Sequence, residues 1–89
     1  MSKTACLYIL SNDTRTVMAL GAASNLKNFL DENRPGRGHS CMALVYYERF
    51  YELAEAQARV EALRRQPRQA RHDLVSSLNP EWKDLAGEL

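Results

Sequence analysis

The chain has 89 residues, in which 12 Lys and Arg stand against 11 Asp and Glu for a net charge of +1. That length holds a single domain with a modest core, since a chain this short buries only about 60–65% of its unfolded surface. Near-neutrality excludes a uniformly basic nucleic-acid glove, and no apolar run approaches the ~20 residues of a membrane span.

The first element is a strand, Cys6-Leu7-Tyr8-Ile9-Leu10, closed by the turn-forming cluster Ser11-Asn12-Asp13. That cluster follows the apolar stretch too soon for Met1–Leu10 to read as a secretory signal. Thr16 to Leu20 returns as its hairpin partner, and Gly21 then releases the chain toward Ser24, an expected helix N-cap. Leu26, Phe29 and Leu30 recur at helical spacing and predict a short helix that stops near Asn33. Pro35, Gly36 and Gly38 make Arg34 to His39 a basic loop.

Met42 to Tyr47 is the strongest strand, apolar and aromatic throughout and bounded by the glycine-rich loop and Glu48-Arg49. From Glu52 a long helix is expected, with Leu53, Ala56, Val60 and Leu63 on one stripe and several alanines supplying propensity. Gln66-Pro67 interrupts it, and Pro67 suits the first position of a second helix that turns Ala70, Leu74, Val75 and Leu78 inward. Asn79-Pro80 ends that helix and leaves a tail in which Trp82 packs back. The order strand, strand, helix, strand, helix, helix predicts an α+β domain over residues 1–89, an antiparallel sheet covered by helices. Cys6 and Cys41 lie in apolar runs without CxxC or Cys/His spacing, so both read as buried thiols of a cytoplasmic protein.

Three segments carry a resemblance. Leu7-Tyr8-Ile9-Leu10-Ser11-Asn12, Leu44-Val45-Tyr46-Tyr47-Glu48 and Leu78-Asn79-Pro80-Glu81-Trp82-Lys83-Asp84-Leu85 resemble, in this order, blocks of the GIY-YIG endonuclease superfamily. The likeness is to its small single-domain branch, related to the GIY-YIG nuclease module of excinuclease. It extends over roughly positions 5 to 85 and implies a three-stranded antiparallel sheet flanked by about three helices. It also implies metal-dependent phosphodiester cleavage. A sheet tyrosine serves the attacking water, an arginine on the first helix steadies the phosphate, and a glutamate on the long helix holds a divalent ion. Metal and guanidinium would neutralise the charge that develops on the phosphorane.

Carried over position by position, that set is depleted. Tyr8 keeps the first tyrosine, and Gly21 keeps the glycine of the second strand, but Ala19 stands where the second tyrosine belongs. The arginine position holds Phe29, and a histidine position one turn later holds Asn33. Arg59 is retained, but the glutamate position after it holds Val60. Glu61 is adjacent, yet one residue turns a helical side chain by about 100°. The resemblance therefore implies that Phe29 and Val60 close a former cleft beside Tyr8, with Mg²⁺ required only if a rearranged site recruits Arg15, Lys27 or Glu61.

Charge supplies a second reading. Residues 59–72 hold five arginines, Arg59, Arg64, Arg65, Arg68 and Arg71, against Glu61 alone, and Arg34 and Arg37 add a basic site on the loop. Such a cluster fits salt-dependent, sequence-neutral contact with a DNA or RNA backbone, and equally a solvated helix face paired with nearby acids. His39 and His72 are isolated and predict no metal site. Three functions are thus open: a degenerate nuclease-like module associated with nucleic acid, an active endonuclease using Tyr8, and a protein-interaction module.

Overall fold

A computed structural model describes residues 4–12, 14–15, 18–32 and 43–88. The elements are β1 (Ala5–Ser11), β2 (Met18–Ala23), α1 (Leu26–Glu32), β3 (Ala43–Phe50), α2 (Leu53–Arg64) and α3 (Arg68–Leu78), with a 3₁₀ turn at Ala86–Glu88. The three strands form one antiparallel sheet in the order β2-β1-β3. The expected α+β fold is the one observed.

β1 takes the centre because both of its faces are apolar. Leu7 and Ile9 are fully buried on one side, where α2, α3 and Trp82 supply Val60, Leu63 and Val75. Cys6 is buried on the other side beside Leu26 and Leu44, with Tyr8, Leu10, Phe29, Leu30 and Leu85 around them. Alternation along a strand sends these two sets to opposite faces of the sheet. Cys6 behaves as the expected buried thiol, and burial pushes its pKa up despite the opposing charge of Arg49. Cys41 lies outside the described residues.

The unbroken apolar run in β3 has a structural cause. Ile9 pairs with Tyr46 and Leu10 with Leu44, so Val45 is the extra residue of a β-bulge. The bulge resets alternation, so Leu44 and Tyr47 share one face while Val45 and Tyr46 share the other. Beyond it β3 runs three residues past its expected end, through Glu48, Arg49 and Phe50.

The tail after α3 is held on the outer edge of β3 by directed hydrogen bonds. The Leu85 amide donates to the Leu44 carbonyl at 2.7 Å, and the Leu44 amide donates to Asp84 Oδ1 at 3.3 Å. Asn79 Nδ2 donates to the bulge carbonyl of Val45 at 3.0 Å and to the Lys83 carbonyl at 2.9 Å. Lys83 N in turn donates to Asn79 Oδ1 at 3.1 Å. Trp82 packs back as expected, at φ 54° in the left-handed region, with its indole N–H donating to Ser76 Oγ.

Several boundaries differ from the sequence reading. β2 does not end before Gly21 but runs through it to Ala23, with Tyr8 paired opposite Gly21. A Cβ at Gly21 would fall onto the Tyr8 hydroxyl and lie 2.6 Å from its ring Cζ, so the tyrosine occupies the space a side chain would need. Asn25, not Ser24, caps α1, its Oδ1 accepting from the Asn28 amide at 3.1 Å. Pro67 precedes α3 as its cap residue instead of opening it. Leu53 is exposed in the first turn of α2, and Leu78 is 71% exposed rather than inward. The helical period assigns both to the apolar side but carries no information about where the covered sheet ends.

Candidate functional site

Tyr8 lies at the middle of β1, between Gly21 and Tyr47 on its neighbouring strands. Its ring stacks on Phe29 of α1 with centroids 4.8 Å apart and planes 30° apart. Burial raises the pKa of the Tyr8 hydroxyl, so at neutral pH it holds its proton and is a poor base. Ala19, on β2, shares this face two residues from Gly21. The phosphate-steadying position of the resemblance is thus filled by an aromatic ring lying flat on the tyrosine.

Val60 is elsewhere. It is 5% exposed in the cluster of Leu7, Ile9, Val45 and Tyr46, on the opposite face of the sheet from Tyr8 and Phe29. The expectation that Phe29 and Val60 meet in one filled cleft is therefore wrong. Each is packed, but with the sheet between them. Block likeness along the chain does not specify which face of a sheet a helix covers.

The residues considered for recruitment do not assemble around Tyr8 either. Glu61 is exposed on α2 and pairs with Arg64 at 3.2 Å. Lys27 is exposed on α1. Arg15, at φ 60°, reaches the other end of the fold, where it donates to the Glu81 carbonyl at 3.3 Å and lies 5.3 Å from the centroid of the Trp82 ring. There it lines a pocket of about 230 Å³ with Ser11, Asn12, Ala43, Val45, Glu81 and Trp82. Among the described residues, no three of His, Cys, Asp and Glu gather where they could hold a metal ion. The described residues around Tyr8 offer no donor set that fits a divalent ion.

The arginines divide by role. Arg71 closes the α2–α3 corner, one terminal nitrogen donating to the carbonyls of Leu63 at 3.1 Å and Gln66 at 3.0 Å. It satisfies acceptors at the end of α2 that the helix cannot pair internally. Arg64, Arg65 and Arg68 are exposed around that corner, Arg64 sharing its charge with Glu61. Arg34 and Arg37, like His39, lie outside the described residues. His72 packs against the Trp82 ring at 4.8 Å.

One charged network escaped the sequence reading. Arg59 grips Glu48 through two bonds, Nε to Oε1 at 3.1 Å and Nη2 to Oε2 at 3.3 Å, and the Tyr46 hydroxyl donates to the same carboxylate. The signal was present in the i, i+2 spacing of Tyr46 and Glu48, which sets both on one face of β3 beneath α2. Burial first, then the hydrogen bond to Glu48, drive the Tyr46 pKa far above its ordinary value. The folded state therefore keeps a proton that the unfolded tyrosine releases near pH 10, and the resulting stability is present below pH 10 and lost as pH rises beyond it. Tyr46→Phe is expected to reduce this alkaline loss, read as the urea midpoint between about pH 9 and 11. An unchanged slope would show that Tyr46 does not carry it.

The solution NMR structure of the UPF0213 protein BH0048 from Bacillus halodurans is similar to this chain, with a TM-score of 0.61 and 17% identity over 90% of each chain. The likeness shows the fold. It is that of a three-stranded antiparallel sheet flanked by helices. No family model matches the sequence, and no curated protein matches it. Within this fold, then, the tyrosine of the first strand is stacked on phenylalanine, and exposed arginines gather at the α2–α3 corner. No helix among the described residues is long and apolar enough to cross a membrane.

Proposed function

We propose that this chain is a nucleic-acid-associated module that contacts the phosphate backbone and does not cleave it. The observation that carries the reading is the α2–α3 corner, where Arg64, Arg65 and Arg68 are exposed together. The first turn of α3 contains no acidic residue, so the positive end of its macrodipole adds to their field. Arginine suits this task because its planar guanidinium keeps its charge and offers paired donors to phosphate oxygens. The absence of cleavage is supported by the Phe29 ring on Tyr8 and by the apolar surroundings of Val60.

Phosphate contacts by Arg65 and Arg68 would give a log–log salt slope of about −2 for duplex DNA. In fluorescence anisotropy with a labelled duplex, Arg65→Glu together with Arg68→Glu is expected to weaken binding on the order of 10- to 100-fold and to flatten the slope by about two. Absence of binding at low salt, or affinity indifferent to salt, would overturn the reading. Nicking of plasmid DNA in Mg²⁺ or Mn²⁺ that is lost in Tyr8→Phe would overturn the claim of no cleavage.

A further inference from the structure

The two outer edges of the sheet are treated differently. The edge of β3 is covered by the tail through Asn79, Asp84 and the Leu85 amide. β2 has β1 on one side, and among the described residues no strand pairs with its other side. Sheet edges are ordinarily kept from pairing by a charge, a proline, a bulge or a covering segment. Met18-Ala19-Leu20-Gly21-Ala22-Ala23 carries no charge and no proline, and its register with β1 runs unbroken from Cys6 opposite Ala23 to Ser11 opposite Met18.

We propose that this edge is a dimerisation surface, at which β2 pairs antiparallel with β2 of a second copy about a two-fold axis normal to the sheet. Each sheet face continues across such an axis only if residues of equal parity stand opposite one another. A register centred on Leu20 meets this condition, setting Leu20 against itself, Met18 against Ala22 and Ala19 against Gly21. No pair in it is charged, so the contact is self-complementary without like-charge repulsion. The six-residue edge becomes the centre of a six-stranded sheet.

The helix above the edge fits the same partner. Arg59 reaches Glu48 on β3, which fixes the rotation of α2. At 100° per residue its opposite flank, directed toward the β2 edge, carries Leu53, Gln57, Glu61 and Arg64. Glu61 and Arg64 already neutralise one another at 3.2 Å, so the flanks that two copies would bring together carry no net charge. An unpaired edge of this neutrality fits a second copy better than a charged strand from another protein.

Sedimentation of the full chain across a concentration series tests this. A mass rising from 10.1 kDa toward twice that value is expected, with outward-facing amides in residues 18–23 exchanging more slowly as concentration rises. Ala19→Lys places a charge on the exposed part of the strand and is expected to raise the dissociation constant by about 10-fold or more. Amide exchange in the unaltered chain decides the matter if that variant does not fold. A monomer at every concentration overturns the proposal, as it would if the edge served a different protein. A dimer whose 18–23 amides are indifferent to concentration overturns it too, because the contact then lies elsewhere.

Discussion

Asn79→Ala is expected to lower stability by about 3 kcal/mol, a drop in Tm of roughly 12–24 °C for a domain of this size. Asn79 is only 8% exposed, and its amide makes three bonds that water cannot readily replace. One of them satisfies the carbonyl of Val45, the bulge residue, which is itself 1% exposed. Alanine removes all three bonds and strands that carbonyl, and each net bond counts for about 1 kcal/mol with a further penalty for a buried orphan. The loss is large against the ~4–13 kcal/mol that a chain of this length typically has in total. Asn79→Asp should be worse, since it keeps the volume but turns a carboxylate toward two carbonyl oxygens. Urea denaturation with an unchanged m value checks both variants. A cost below about 1 kcal/mol for alanine would mean that Trp82, in the core beside Ile9 and Val75, anchors the tail by itself.

The parts of the fold legible in the sequence are those set by local pattern, and the Asn79 bonds are not among them. A central strand apolar on both faces, a long apolar run at Ala43–Tyr47 and a proline between two helical patterns are local signals, and each corresponds to an observed element. β2 was ended three residues early because Ala19, Gly21, Ala22 and Ala23 are too small for period-two alternation to register, and the expected start at Thr16 lies outside the described residues. The bulge at Val45 was hidden for the opposite reason: five apolar residues in succession read as one buried strand, whatever face each one takes. Tyr46, Glu48 and Arg59 each looked ordinary in isolation, and only the packing of α2 on the sheet makes them a network. Spacing along a chain reports which residues share a face of their own element. It does not report which face of the sheet another element will cover, and the candidate site depended on that choice.

Val60→Glu puts that choice to the strongest test. It restores the carboxylate that the GIY-YIG resemblance expects, yet it is expected to cost about 3–5 kcal/mol and to restore no cleavage. The new carboxyl would lie among Leu7, Ile9, Val45, Leu63 and Val75, and the neighbouring cation, Arg59, is already bound to Glu48. Burial without a partner raises the folded-state pKa above the unfolded value of about 4.3. The folded state then binds more protons than the unfolded chain as pH rises past that value, so the penalty is smallest near pH 4 and grows toward neutrality. Urea midpoints at about pH 4.5 and 7.5 should diverge for the variant far more than for the parent chain. Adding Phe29→Arg and Ala19→Tyr completes the missing set in name only. Arginine and tyrosine would join Tyr8 on the face of Cys6 and Leu10, while the glutamate stays on the face of Leu7 and Ile9. A divalent ion holds oxygen ligands at about 2.0–2.6 Å, and the β1 backbone lies between the two halves of this set. Plasmid nicking by the triple variant in Mg²⁺ or Mn²⁺ would require α2 to cross to the other face, and would overturn the packing that separates Val60 from Tyr8.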